Sequence, residues 1–158
     1  MRHLALPALV IAVTVAACAE RPTTGTAAPG PDTPATRMTA ADYESLMEQV
    51  GPAYQSLRAN LQADDAGAAT TDARRLAELF GGVEKFWTEH ERADAVAWAS
   101  TARTHAADAA GAAAAGDLAR AAAAAGNMGG ACKQCHGAYR ESDGQGGYRI
   151  KPGVITRP

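Results

Sequence analysis

The sequence has few of the aromatic residues that fill large cores, and it has no excess of basic charge. Only 5% of its 158 residues are aromatic, and three are cysteines. Its 15 Lys and Arg residues are offset by 17 Asp and Glu residues, giving a net charge of -2, so we expect no nucleic-acid partner, which would require clustered basic residues. A chain of this length has room for one domain beside targeting and linker segments.

Long apolar runs are also scarce. The run from Leu4 to Ala17 is shorter than the ~20 residues that a membrane-spanning helix needs. It follows Arg2 and His3 and ends in small residues, which predicts an export signal over residues 1–17. The cysteine that follows, Cys18, fits a bacterial lipobox and is predicted to be lipidated, anchoring a periplasmic protein to a membrane. The alternative is a plain secretory signal cut near Ala17.

Residues 18–38 are predicted to form a flexible tether. From Arg21 to about Met38 the chain consists mostly of Pro, Thr, Ala and Gly and has almost no large apolar side chain. Such a segment cannot bury enough surface to order itself.

Helical patterns begin at Thr39, which fits a helix N-cap with Asp42 three residues later. Spacings of three and four predict a first helix with one apolar stripe: Tyr43, Leu46, Met47, Val50, Tyr54, Leu57 and Leu61. Gly51-Pro52 predicts a kink or a short break within it.

Three further helices are predicted over residues 71–83, 93–115 and 118–141. Gly81-Gly82 is expected to end or bend the second, leaving Phe86 and Trp87 in a connection. No segment alternates with period two, so no strands are predicted, and residues 142–158 are expected to form an irregular tail. The prediction is an all-α, antiparallel four-helix bundle over residues 39–141.

The string with the most specific chemistry is Cys132-Lys133-Gln134-Cys135-His136. A C-x-x-C-H motif indicates covalent attachment of a c-type haem, because the two thiols on one helical face can each add to a vinyl group of the porphyrin. His136 then becomes an axial ligand of the iron.

Three other uses of the two cysteines compete with haem attachment. A structural zinc site would need a fourth ligand, and His90 or His105 could supply one, although neither has a familiar zinc spacing. A thioredoxin-like dithiol needs alternating strands and helices. A structural disulfide would fit an exported protein but does not require the histidine.

The segment from Gly130 to Arg140, close to the C-terminus of a four-helix chain, resembles the haem-binding helix of the cytochrome c-prime family and its low-spin relatives. Ordinary small cytochromes c carry the motif near the N-terminus. The resemblance covers about residues 39–141. It implies an antiparallel four-helix bundle that holds one covalent haem c near one end, and frequently a homodimer.

The resemblance also implies where the second axial ligand would be. In this family the sixth coordination position lies against the first helix, where an apolar residue leaves a gas-binding site and a methionine gives an electron carrier. Met47 matches that position, whereas Tyr43 stands where the family usually has arginine. The alternative role of Met47 is ordinary core packing.

Other polar and sulfur-containing residues are assigned by their position. Arg140, four residues after His136, is a candidate for shaping the haem field or pairing with a propionate, or it is a solvated charge. Met128 is too close to the attachment site to reach across the ring, and His90 and His105 are expected to be surface or satisfied polar residues.

The sequence therefore predicts a periplasmic, membrane-anchored electron carrier that is not an enzyme, with His136 and Met47 as axial ligands and a redox protein as partner. The alternative function is a five-coordinate cytochrome c-prime that binds NO or CO, with Met47 lining the distal pocket. A tethered subunit of a larger respiratory or oxidoreductase complex is a third possibility.

Overall fold

A computed structural model describes residues 37–155 of the chain. The predicted export signal, the lipidated Cys18, most of the tether and residues 156–158 lie outside the described residues.

Four helices account for most of the described chain: α1 (Ala40–Gln62), α2 (Ala66–Glu89), α3 (Ala93–Ala114) and α4 (Leu118–Tyr139). The links between them are short, at residues 63–65, 90–92 and 115–117, and each helix packs against the next one along the chain. Short links between packed neighbours give antiparallel pairs. The predicted all-α class and four-helix bundle are confirmed.

Helices α1, α2 and α4 each begin at a side chain that bonds one of the first backbone amides. Thr39 and Asp42 form the predicted capping box, in which each side chain accepts a hydrogen bond from the other residue's backbone N–H. The Asp65 carboxylate caps α2 by accepting a hydrogen bond from the N–H of Ala68, and the Asp117 carboxylate caps α4 by accepting one from the N–H of Arg120.

The predicted end of the second helix is wrong. α2 begins at Ala66 and continues through Gly81-Gly82 to Glu89, so that Phe86 and Trp87 lie inside the helix, both fully buried. Burial of these large side chains outweighs the cost of about 1 kcal/mol that each glycine adds to a helix. Gly82 has a packing reason, because a Cβ there would lie 3.2 Å from the side chain of Leu46.

Helix α1 also passes through its predicted interruption without a break. Pro52 lies in the middle of the helix and is exposed. Its missing N–H leaves the carbonyl of Glu48 without a helical donor, and the helix tolerates this on its solvent side.

The prediction of an irregular tail without strands is wrong for part of its length. Two short strands, β1 (Arg140–Ser142) and β2 (Tyr148–Ile150), pair antiparallel directly after α4. In the turn Asp143 accepts hydrogen bonds from the backbone of Gln145 and Gly147. These strands are too short to give a recognisable alternation in the sequence.

The segment after the hairpin is fastened to the bundle by two cations. Lys151 donates from Nζ to the carbonyls of Gly137 and Ala138, each at 2.9 Å, and so caps the last turn of α4. Arg92, in the link between α2 and α3, donates to the carbonyl of Val154.

Helices α2, α3 and α4 pack closely in sequence, whereas α1 and α4 do not. The buried face of α3 consists of alanines, which let α2 and α4 approach it closely: Ala95, Ala99, Ala102, Ala106, Ala109, Ala110, Ala112 and Ala113. By contrast, α1 and α4 touch at few places, so a gap runs between them. No described helix is long and apolar enough to cross a membrane.

Candidate cofactor site

The gap between α1 and α4 is a cleft of about 790 Å³. This lies within the range of roughly 300–1,000 Å³ that small-molecule and cofactor sites occupy. The five residues that the sequence suggested for cofactor binding all line it: Met47, Cys132, Cys135, His136 and Arg140. Residues more than 80 positions apart in the chain are thus brought to one site.

The α4 wall of the cleft carries the C-x-x-C-H motif. Cys132, Cys135 and His136 lie in the last two turns of the helix, at spacings of three and four that place them on one face. Both thiols are free and half-buried. Burial raises the pKa of Cys132 and raises that of Cys135 to about 11, so both sulfurs hold their protons near neutral pH.

The imidazole of His136 is in the form that binds a metal. Burial, and then the nearby charge of Arg140, lower the pKa of His136 below its ordinary value. This shift favours the neutral ring, whose unprotonated nitrogen can donate its lone pair to a metal.

The α1 wall presents Met47 and two tyrosines. Met47 is half-buried, one turn after Tyr43 and two turns before Tyr54. Tyr43 is 8% exposed and lies near Cys135. Burial, followed by the proximity of Cys135, raises the pKa of Tyr43 well above its ordinary value. The sequence placed Tyr43 only in an apolar stripe, and its departure from the family's arginine was the available signal.

Aromatic side chains that the sequence did not assign to the site form its inner end. Trp87 and Trp98 line the cleft, and the ring of Tyr139 stacks on Trp87 with centroids 5.0 Å apart. Trp87 is the largest fully buried side chain, and its indole Nε1 is buried without a well-formed hydrogen bond. The sequence pattern places Trp87 in the link after the second helix and therefore does not assign it to the site.

Cations line the outer part of the cleft. Lys133, Arg140 and Arg149 all contribute to its walls, and the guanidinium of Arg140 lies 3.9 Å from the centroid of the Tyr148 ring. Arg149 also pairs with Glu141 at 2.8 Å across the hairpin. The hairpin that the sequence did not predict is therefore part of the site.

These residues fit a haem c. Two thiols and an imidazole lie on the α4 wall, and the thioether of Met47 lies on the α1 wall. The lining between these walls is mostly apolar and aromatic. The cations could pair with the two carboxylates of such a group. Cys132, Cys135 and His136 would hold it on α4, and Met47 would face it from α1.

The histidines proposed as alternative ligands lie elsewhere. His90 is buried at the end of α2, and its Nε2 lies 2.9 Å from the carbonyl of Met38. Neither His90 nor His105 lines the cleft. Within residues 37–155, no three His, Cys, Asp or Glu side chains are grouped closely enough to hold a metal ion together.

A polar contact fixes the stacked tyrosine and gives a testable pH dependence. The hydroxyl of Tyr139 donates to the Asp94 carboxylate, 2.7 Å from each oxygen, and this bond is the main reason why the pKa of Asp94 is lowered. The Asp94 carboxyl therefore has a lower pKa in the folded protein than in the unfolded chain, where it is about 3.9. It contributes stability at pH values above that unfolded pKa, and the contribution is lost as the pH falls through the folded pKa.

In Tyr139→Phe we therefore expect the Asp94 titration midpoint, measured by NMR, to rise toward its ordinary value. The loss of stability in urea should be greatest above about pH 5 and should shrink in acid. Tyr148→Phe, which removes an exposed hydroxyl that bonds no described residue, is the control. An unchanged Asp94 midpoint in Tyr139→Phe would contradict the assignment.

A comparison with known protein families gives a match to part of the chain. The family model described as Cytochrome C' matches residues 82–140, from the second half of α2 to the start of the hairpin, and includes Cys132, Cys135 and His136. No curated protein and no solved structure matches the chain. Proteins of this family are generally periplasmic, non-catalytic haem c proteins that carry electrons or bind gases. The matched segment and the four-helix fold together fit a cytochrome c-prime-like family.

Proposed function

We propose that this protein is a periplasmic electron carrier with one covalent haem c, bound through Cys132 and Cys135 and ligated by His136 and Met47. The observation that carries the proposal is that Met47 lies on the wall opposite His136 in one cleft. A thioether and an imidazole are the ligand pair typical of cytochromes that transfer electrons.

The haem would supply one-electron chemistry at its iron. The chain's own residues would keep the surroundings of the iron unchanged while the iron gains or loses an electron. His136 and Met47 would remain in place in both oxidation states, so little would need to reorganise. The thioether sulfur of Met47 and the apolar lining both favour the reduced state and so raise the reduction potential.

The cations at the outer part of the cleft support a role in holding the propionates. Arg140 is one turn after His136, and the Tyr148 ring orients its guanidinium. The remaining parts of the proposal are a lipid anchor at Cys18, a redox protein as partner and a homodimer of the kind frequent in the family.

A second function, binding of NO or CO, is favoured by the tyrosine on the α1 wall. The hydroxyl of Tyr43 lies close to the α4 thiols, and Met47 is only half-buried. If the thioether did not bind the iron, a tyrosine hydroxyl at this wall could donate a hydrogen bond to a bound diatomic gas.

The optical spectra of the mature protein, oxidised and reduced, test the two functions directly. An electron carrier should show a low-spin spectrum in both states, with a methionine-to-iron charge-transfer band in the ferric protein. A high-spin ferrous spectrum and ready binding of carbon monoxide would instead establish the gas-binding function.

A further inference from the structure

The hydroxyl of Tyr54 crosses the gap between α1 and α4. It donates a hydrogen bond of 3.0 Å to the backbone carbonyl of Ala125. On one side of Tyr54 is the cofactor cleft, and on the other is a second cavity of about 400 Å³ between the same helices. Because the helices stay apart on both sides, this bond is well placed to set their separation.

The position of this bridge along the helices relates it to the iron ligands. The three short links make successive helices antiparallel, so α1 and α4 also run antiparallel. Met47 is seven residues before Tyr54, which at 1.5 Å per residue is about 10 Å along α1 and two full turns, so both side chains share one face. Cys132 is likewise seven residues after Ala125 on α4.

The sequence of α4 provides the space that this bridge occupies. A Cβ at Gly129 would lie 2.7 Å from the Tyr54 hydroxyl oxygen, closer than such atoms approach in proteins. The ring carbon that carries the hydroxyl would be 3.5 Å away, which is ordinary contact. Any side chain at position 129 must therefore displace the hydroxyl, whereas it could accept a phenylalanine ring at position 54.

We propose that Tyr54 is a positioning residue that fixes the separation of α1 from α4 and thereby keeps Met47 within reach of the iron. The inference rests on the proposed ligation by Met47 and names a second residue on which that ligation depends. Loss of the bond frees α1 to move outward and weakens the sixth ligand without changing that ligand.

The test uses the haem-loaded protein and the affinity of its ferrous form for carbon monoxide, which competes with Met47. Tyr54→Phe removes the hydroxyl that makes the bond, and Gly129→Ala adds a methyl group that displaces this hydroxyl. Each variant should raise the affinity for carbon monoxide about fivefold. This corresponds to about 1 kcal/mol, the net contribution of one hydrogen bond. Both variants should also weaken the ferric methionine band.

The double variant separates this role from crowding of the cleft. With phenylalanine at position 54 the added methyl at 129 meets no hydroxyl, so the double variant should resemble Tyr54→Phe and show no additive effect. Gly111→Ala, in open space on α3, controls for the general gain in helix propensity and should leave the affinity unchanged.

Met47→Leu, measured in parallel, distinguishes failure of the positioning role of Tyr54 from failure of the proposed ligation by Met47. If Met47→Leu raises the affinity for carbon monoxide but the Tyr54 and Gly129 variants do not, the positioning role is overturned and the ligand assignment stands. If Met47→Leu has no effect, the ligand assignment fails, and the positioning role fails with it.

Discussion

Replacement of Cys132 and Cys135 by serine should give a chain without covalently bound haem. Serine has nearly the size of cysteine but cannot form a thioether to a vinyl group. The cleft of about 790 Å³ would then lose the group that fills it. We expect a loss of stability on the order of 3–5 kcal/mol, comparable to emptying the site of a large core side chain. Intact mass under denaturing conditions measures attachment, and urea unfolding measures stability.

The third cysteine provides the matched control for this variant. Cys18→Ser should leave the haem mass unchanged and should release the protein from membranes, because Cys18 is assigned to the lipid anchor. A double serine variant that still carried haem after denaturation would refute covalent attachment through the motif.

Met47→Leu is expected to change the spectrum and the potential while preserving the fold. The substitution conserves volume, so a half-buried position should lose less than about 1.5 kcal/mol. Without the thioether the ferric charge-transfer band should vanish. The reduction potential should fall by on the order of 100 mV, a modest part of the ~0.8 V that axial ligands span. Absorption spectroscopy and redox titration would measure both effects.

Met128→Leu is the matched control for Met47→Leu. Met128 is fully buried on α4 and does not line the cleft, so this substitution changes packing alone. Its spectrum and potential should equal those of the unaltered protein. If the charge-transfer band persisted in Met47→Leu, the thioether assignment would be wrong and the gas-binding function would gain support.

The grouping of Cys132, Cys135 and His136 on one wall of the cleft was predictable because it is encoded locally. Cys132, Cys135 and His136 lie within five consecutive residues, and little more than one helical turn places them on one face. The prediction of Met47 needed the family resemblance as well, because a methionine in an apolar stripe is typical of any core. The structure brings Met47 and the motif to the same cleft, and their ligation of iron stays a prediction.

The parts that the sequence did not reveal depend on tertiary packing. Gly81-Gly82 predicted a helix end from local propensity, but burial of Phe86 and Trp87 carries α2 to Glu89. The stacking of Tyr139 on Trp87 follows from that extension and could not be predicted without it. The hairpin depends on a glycine turn and on the clamp by Lys151, neither of which leaves a period in the sequence.

The open pairing of α1 with α4 has a consequence for how the domain unfolds. Helices α2, α3 and α4 share continuous, closely packed interfaces, whereas α1 is held mainly by α2. Cooperative unfolding units follow such differences in local packing. The first partial opening should therefore detach α1, while α4 stays packed against the alanines of α3. The proposed haem would then become exposed first on the Met47 side, with its proposed ligand His136 still in place.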